Sequence, residues 1–285
     1  LHPRVRRQRQ MCIRDRFTDP EVDVIYITTP HNTHLGFMKE AIANGKHILV
    51  EKSITLNSDE LDEAIALAKE KGVIIGEAMT IYHMPIYKEL KKILDSGRLG
   101  RVNLITMNFG SFKEYNMKNR FFNRNLAGGA MLDIGVYALS FIRWFFDSKP
   151  DQLLSQVKPA PTGVDEQAGL LLTNQEGQMA SVMLSLHSKQ PKRGMVSCEN
   201  GFIEIMEYPR AWEAKITDAS TGESEIIKAG DNADALAYEL ADMERAINGD
   251  ASAMHLDYTK DVMDLMTSFR RTWGYTLSLI HISEP

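Results

Sequence analysis

The sequence predicts an α/β chain in two unlike parts: a partial parallel sheet with helices on its faces, then an α+β portion built on a large open antiparallel sheet. Three observations carry this. Apolar runs over 22–28, 47–50 and 73–77 alternate with helical stretches, as parallel βαβ units do. After Arg101 the strand-like runs are instead separated by hairpin-type turn signals, Asn174-Gln-Glu-Gly177 and Glu199-Asn-Gly201. The chain has 285 residues, 44% of them hydrophobic, enough for two cores.

Each element has a local reason. Val22 to Thr28 is an apolar strand stopped by Thr29-Pro30. His34 to Asn44 has helical spacing, and Asn44-Gly45 closes it. His47 to Val50 is the next strand. Asn57 or Ser58 caps a helix over 59–71, with Leu61, Ile65 and Ala68 as its apolar stripe and Gly72 as its end. Val73 to Glu77 is a third strand, and Pro85 to Ser96 a helix ended by Gly97. Beyond it, Val102 to Ser111 reads as a strand and Leu126 to Phe146 as one long apolar helix. Strand-like runs follow near 167–173, 178–187, 194–197, 202–206 and 212–216, then helices over 233–248 and 259–273. The expected divisions are 17–80 for the parallel part and 81–275 for the α+β part.

Charge and composition narrow the function. A formal net charge of -5 argues against nucleic acid or an anionic membrane as partner. No apolar run reaches the roughly 20 residues of a membrane span. Cys12 and Cys198 give neither a disulfide framework nor metal-ligand spacing, so no metal and a reducing cytoplasm are expected. His31 and His34, three residues apart with no acidic partner nearby, do not change that. Both ends look foreign: the arginine-rich 1–16, containing Met11-Cys-Ile-Arg-Asp-Arg16, and 276–285 resemble translated adapter read-through and are set aside as scars.

Chemistry concentrates in two segments. Ile48-Leu-Val-Glu-Lys52 is a buried strand that delivers Glu51 and Lys52 at its end. In Ala127-Gly-Gly-Ala-Met-Leu-Asp-Ile-Gly-Val-Tyr137 a glycine turn opens a helix carrying Asp133 and, one turn on, Tyr137. A lysine, an aspartate and a tyrosine in one cleft form a kit for moving a proton on and off a hydroxyl carbon. An ammonium within about 4–6 Å would favour the phenolate and lower the tyrosine's pKa. Plain readings stand beside this one. Lys52 alone is a solvated strand end, Tyr137 a core tyrosine, and Asp133 a partner for a backbone amide. Gly128-Gly129 is either a tight turn or the close approach of a helix N-terminus to a ligand.

The order and spacing of Thr28-Thr-Pro-His-Asn-Thr-His34, Glu51-Lys52 and Ala127 to Tyr137 resemble the Gfo/Idh/MocA family of nicotinamide-dependent oxidoreductases, within it the glucose–fructose oxidoreductase and dihydrodiol dehydrogenase branch. The likeness spans Phe17 to about Tyr275. It implies that the first part is the remnant of a Rossmann domain binding NAD or NADP. Thr29, Pro30, His31 and His34 would line the cofactor cleft, with Glu51 at the ribose–nicotinamide end and Lys52 beside the nicotinamide and the substrate hydroxyl. Tyr137 would be the general acid/base, Asp133 would orient the substrate or the tyrosine, and Arg120 would face cofactor or substrate. Ser53 stands where the family usually has proline, which removes a fixed φ after Lys52. The glycine-rich phosphate turn is not in the sequence, so about two βα units, roughly 60 residues, are expected to precede it.

The expected function is hydride transfer between NAD or NADP and a hydroxyl carbon of a sugar, polyol or cyclic diol. Tyr137 would act with Lys52, in a homo-oligomer formed through the antiparallel sheet. The alternatives are a non-catalytic dinucleotide- or sugar-binding relative, and an inactive fragment.

Overall fold

The computed structural model describes residues 15–275. Cys12, most of the arginine-rich start and the 276–285 tail lie outside the described residues; a short helical turn spans Asp15–Thr18.

The first part forms as expected. Strands β1 (Val24–Ile27), β2 (His47–Glu51) and β3 (Ile75–Ala78) make a parallel sheet in that order, with Ile27 beside Val50 and Val50 beside Glu77. Helices α1 (His34–Ala43) and α2 (Ser58–Lys71) are the crossovers. The Asn57 side chain accepts the Glu60 N–H at 2.9 Å, satisfying one of the free donors at the start of α2. Gly72 ends α2 in the left-handed region at φ 66°. Ile48, Leu49 and Val50 are fully buried, so β2 is held on both faces and its carboxyl end is a rigid platform for Glu51 and Lys52.

The second part has α3 (Thr80–His83), α4 (Pro85–Asp95) and β4 (Val102–Gly110), then the apolar helical region that ends in α5 (Val136–Phe145). Seven more strands follow: β5 (Gln152–Pro159), β6 (Asp165–Thr173), β7 (Met179–Ser185), β8 (Gln190–Cys198), β9 (Gly201–Met206), β10 (Glu213–Asp218) and β11 (Ser224–Lys228). Helices α6 (Ala235–Ile247) and α7 (Leu256–Thr272) close the chain. The sheet order is β11-β10-β9-β8-β4-β7-β6-β5.

The large, mostly antiparallel sheet forms as expected with one parallel pair inside it, and one expectation, the long helix, is corrected. The large sheet is open but mixed, because β4 and β7 run parallel from Leu104↔Met179 to Gly110↔Ser185. After its helical excursion the chain enters at the edge with β5 and returns through two hairpins, which brings β7 against β4 pointing the same way. The 126–146 segment is not one α-helix. A 3₁₀ turn (Arg124–Leu126) is followed by the glycines, a π-helical turn (Met131–Gly135) and then α5. By length and composition Arg124–Phe145 could span a membrane, yet 72% of its most apolar stretch is buried inside the fold. It is a core element, packed between β4 and α7.

Helix α7 ties the two parts together. Thr259 Oγ1 donates to Glu77 Oε2 at 3.0 Å, and Arg270 donates to the Leu56 carbonyl at 2.6 Å.

Candidate active site

Lys52 leaves the carboxyl end of β2 and reaches the π-helical turn before α5. Its Nζ donates to the Asp133 carbonyl at 2.5 Å and lies 3.4 Å from Asp133 Oδ1. It also sits 4.7 Å from the centre of the Tyr137 ring. The three residues predicted to act together are therefore in one cluster. A π turn is wider than an α turn and is often found at functional positions; here it carries the carbonyl that receives the lysine. Arg120, on the exposed loop before the glycines, places its guanidinium 3.5 Å from Asp133 Oδ1, so two cations share that carboxylate.

The main chain around Lys52 is clamped from both sides. His31 Nε2 faces the Lys52 carbonyl at 3.0 Å, while burial, helped by Lys52, lowers its pKa to about 4. The ring is thus neutral at physiological pH and donates one hydrogen bond. His34 is fully buried, with Nδ1 3.0 Å from the Ser53 carbonyl and Nε2 2.8 Å from the Thr29 carbonyl. Both of its ring nitrogens are taken up by main chain, which places His34 in the clamp and not on the cleft wall. Ser53, fully buried, donates from Oγ to the Leu132 carbonyl at 3.0 Å. The serine found in place of proline thus ties the lysine segment to the π turn; it does not loosen it. The Lys52–Ser53 peptide is cis.

Thr29 and the exposed Pro30 lie just past β1, where Thr33 Oγ1 is 2.7 Å from Thr29 Oγ1 and 2.7 Å from the Pro30 carbonyl. Glu51 accepts the Tyr26 hydroxyl at 2.8 Å.

The expected lowering of the Tyr137 pKa is not what the geometry gives. Lys52 stands over the ring face, a cation–π position. Burial pushes the phenol above its ordinary range, and the charges of Glu51 and Asp133 push the same way. Tyr137 is consequently a neutral phenol, and its hydroxyl makes no hydrogen bond to protein among the described residues. Phe109 of β4 backs the ring at 6.2 Å between centroids.

Gly128 and Gly129 serve the chain itself. Gly129 has φ +122°, and a Cβ there would lie 2.1 Å from Asp165 Oδ1. The start of the helical region is filled by that carboxylate, so it offers no phosphate cradle. What the described residues fit is the reacting end of a dinucleotide. Thr29 and Pro30 just past β1, and Glu51 and Lys52 at the end of β2, lie at strand carboxyl ends, where ligands of open α/β sheets bind.

Sequence reading missed three groups here. Asp165 is distant in sequence and carries no local signal. Glu239 of α6 is buried with no partner for either carboxylate oxygen among the described residues. Burial, with Glu51 adding, holds its pKa up to about 8. Arg210 is exposed near Tyr137 and Glu239, with no ion pair among the described residues.

Comparison with known proteins places the chain in a family. Residues 9–79 match the description "Oxidoreductase family, NAD-binding Rossmann fold" and residues 87–204 match "GFO/IDH/MocA C-terminal domain", together well over half the chain. A trans-1,2-dihydrobenzene-1,2-diol dehydrogenase of Xenopus tropicalis is 31% identical over 188 residues, 66% of this chain and 56% of that protein. The mouse protein of the same name is 31% identical over 190 residues, again 66% and 56%. The chain thus matches little more than half the length of these relatives. Among solved structures, an aldose-aldose oxidoreductase from Caulobacter crescentus superposes with TM-score 0.80 at 22% identity, covering 94% of this chain and 83% of that one. A 3-ketoreductase from Actinomadura kijaniata, in complex with NADP and TDP-benzene, gives 0.78 at 19% identity, covering 90% and 79%. At these identities the two structures speak for the fold alone.

Proposed function

The chain belongs to the GFO/IDH/MocA oxidoreductase family, and on that footing we propose that it carries the reacting end of an NAD- or NADP-dependent enzyme that interconverts a hydroxyl and a carbonyl on a sugar, polyol or cyclic diol. One observation carries the reading: the Lys52 ammonium, fixed on Asp133, lies over the ring of a partly buried tyrosine whose hydroxyl is unclaimed. The name of its sequence relatives, trans-1,2-dihydrobenzene-1,2-diol dehydrogenase, supports the cyclic-diol part of that substrate class.

The nicotinamide, when bound, would supply or accept the hydride at the substrate carbon. In reduction, the neutral Tyr137 phenol gives its proton to the oxygen that becomes the hydroxyl. Lys52 stabilises negative charge building on that oxygen. Asp133 holds Lys52 through its carbonyl, and Arg120 shares the Asp133 carboxylate and so keeps that charge from drawing Lys52 off. Oxidation uses the same groups in reverse, and needs Tyr137 to have lost its proton first. Thr29, Pro30 and Glu51 would border the nicotinamide–ribose end. No metal ligand set is needed for this chemistry.

The open face of the large sheet supports a second copy of the chain as partner. Leu154 is 68% and Met183 57% exposed on it, with Leu171 and Met179 beside them, an apolar face of the kind that marks an interaction site.

The test is NAD(P)-linked turnover by the full-length protein across aldoses, polyols and cyclic trans-diols, in parallel with Lys52→Met. Turnover of at least one class, reduced roughly a hundredfold or more by the substitution, is expected. Turnover that Lys52→Met leaves intact would contradict the assignment.

A further inference from the structure

We propose that Asp165 is a positioning residue for the reacting pair: by capping the helical turn that bears Asp133 and Tyr137, it fixes where those side chains stand. The inference rests on the reading of Lys52, Asp133 and Tyr137 given above, and concerns a residue in another element, the first of β6.

The turn needs such a partner. A buried helix start leaves N–H groups without acceptors, and Ala130, at the N-cap position of the π turn, supplies no side-chain bond. Asp165 provides the acceptor from across the fold: its Oδ2 takes the Met131 N–H at 2.5 Å, and the Ala130 N–H points to the same carboxylate. Met131 is two residues before Asp133 and six before Tyr137, so a shift of this cap moves both. The approach is possible only because residue 129 is glycine, since any Cβ there would overlap Oδ1.

A buried carboxylate needs compensation. Arg270 of α7, itself buried, supplies the opposite charge and donates at 2.6 Å to the Leu56 carbonyl, four residues past Lys52. Arg124 and Tyr275 line the small cavity beside them. The cap therefore bears on the Tyr137 helix directly and on the Lys52 segment through Arg270. Those are the two pieces whose separation sets the lysine–tyrosine geometry, and a misplacement of about 1 Å at such a site can cost on the order of a hundredfold in rate.

The experiment compares Asp165→Ala, Asp165→Asn and Gly129→Ala in the full-length protein, reading kcat, KM and hydrogen exchange at the Met131 amide. Asp165→Ala is expected to expose the Met131 amide to exchange. It should also lower kcat roughly ten- to a hundredfold while KM moves much less. Asp165→Asn keeps an oxygen acceptor and should retain amide protection, with kcat within about threefold of wild type, since one neutral hydrogen bond is conserved. Gly129→Ala, which forces the carboxylate away, should reproduce the Asp165→Ala kinetics even if the latter does not fold. Wild-type kcat per folded molecule in Asp165→Ala or Gly129→Ala would overturn the proposal. So would an Asp165→Asn variant as slow as Asp165→Ala with its Met131 amide still protected. Tyr137→Phe separates the two readings. If it keeps full activity the reacting pair is wrong, whereas an inactive Tyr137→Phe beside a fully active Gly129→Ala sinks only the role of Asp165.

Discussion

At the scale of single residues, the site is set by where charges can afford to be. Lys52, Asp133 and Arg120 compensate one another in a partly open cleft. Deeper in, carboxyl groups are held as acids. Glu77 is fully buried, accepting the Ile54 N–H and the Thr259 hydroxyl, each at 3.0 Å, and burial pushes its pKa up to about 7 from 4.5. Because the folded state binds this proton more tightly than the unfolded chain, Glu77 favours folding most below about pH 4.5, and that contribution is lost as pH rises through about 7. Over that window the loss is at most about 3 kcal/mol. His31, whose folded pKa is depressed to about 4, acts oppositely: its contribution is present above about pH 6.5 and lost as pH falls toward 4. The difference between variants is therefore the informative quantity. Glu77→Gln keeps an acceptor without the titration. Relative to wild type it should gain stability between pH 4.5 and 7, measured as urea midpoints. Parallel pH profiles for the two proteins would show that Glu77 is not held as an acid.

At the scale of elements, what was legible in sequence had local causes. Asn57 and Gly72 bound α2 where cap chemistry puts them. The apolar β2 ends on Glu51 and Lys52 because both of its faces are covered. β5 and β11 were missed since more than half of each is exposed, at the two edges of the sheet, where little burial marks the sequence. The parallel β4–β7 pair was not readable either, being decided by the route of the chain through β5 and β6. Lys52, Asp133 and Tyr137 could be found from motif order. The phenol's protonation could not, since it depends on burial and on the nearby charges of Glu51 and Asp133, which spacing does not encode. The large sheet's outer face yields a prediction at this scale. Met183→Glu, with Leu154→Lys, should convert an associated protein to monomer by light scattering without changing its circular dichroism, while an unaltered mass would exclude this face as the interface.

For the whole molecule, the site exists because two sheets are locked together. The parallel sheet delivers Lys52, the large sheet backs Tyr137 with Phe109 and anchors its helix through Asp165, and α7 bolts the parts to each other through Thr259 and Arg270. The same arrangement explains why the apolar 124–145 stretch is a core element: it packs between β4 and α7, and its π turn receives Lys52 and Ser53 from the first part. Tyr137→Phe tests the outcome of all this most directly. It leaves the ring against Phe109 and under Lys52 and removes only the hydroxyl. The measurement is kcat for carbonyl reduction by the full-length protein carrying that one change, with folding checked by thermal unfolding. A loss of roughly 10²- to 10⁴-fold at unchanged stability is expected if the phenol is the proton donor. Wild-type turnover by a folded Tyr137→Phe protein would contradict it.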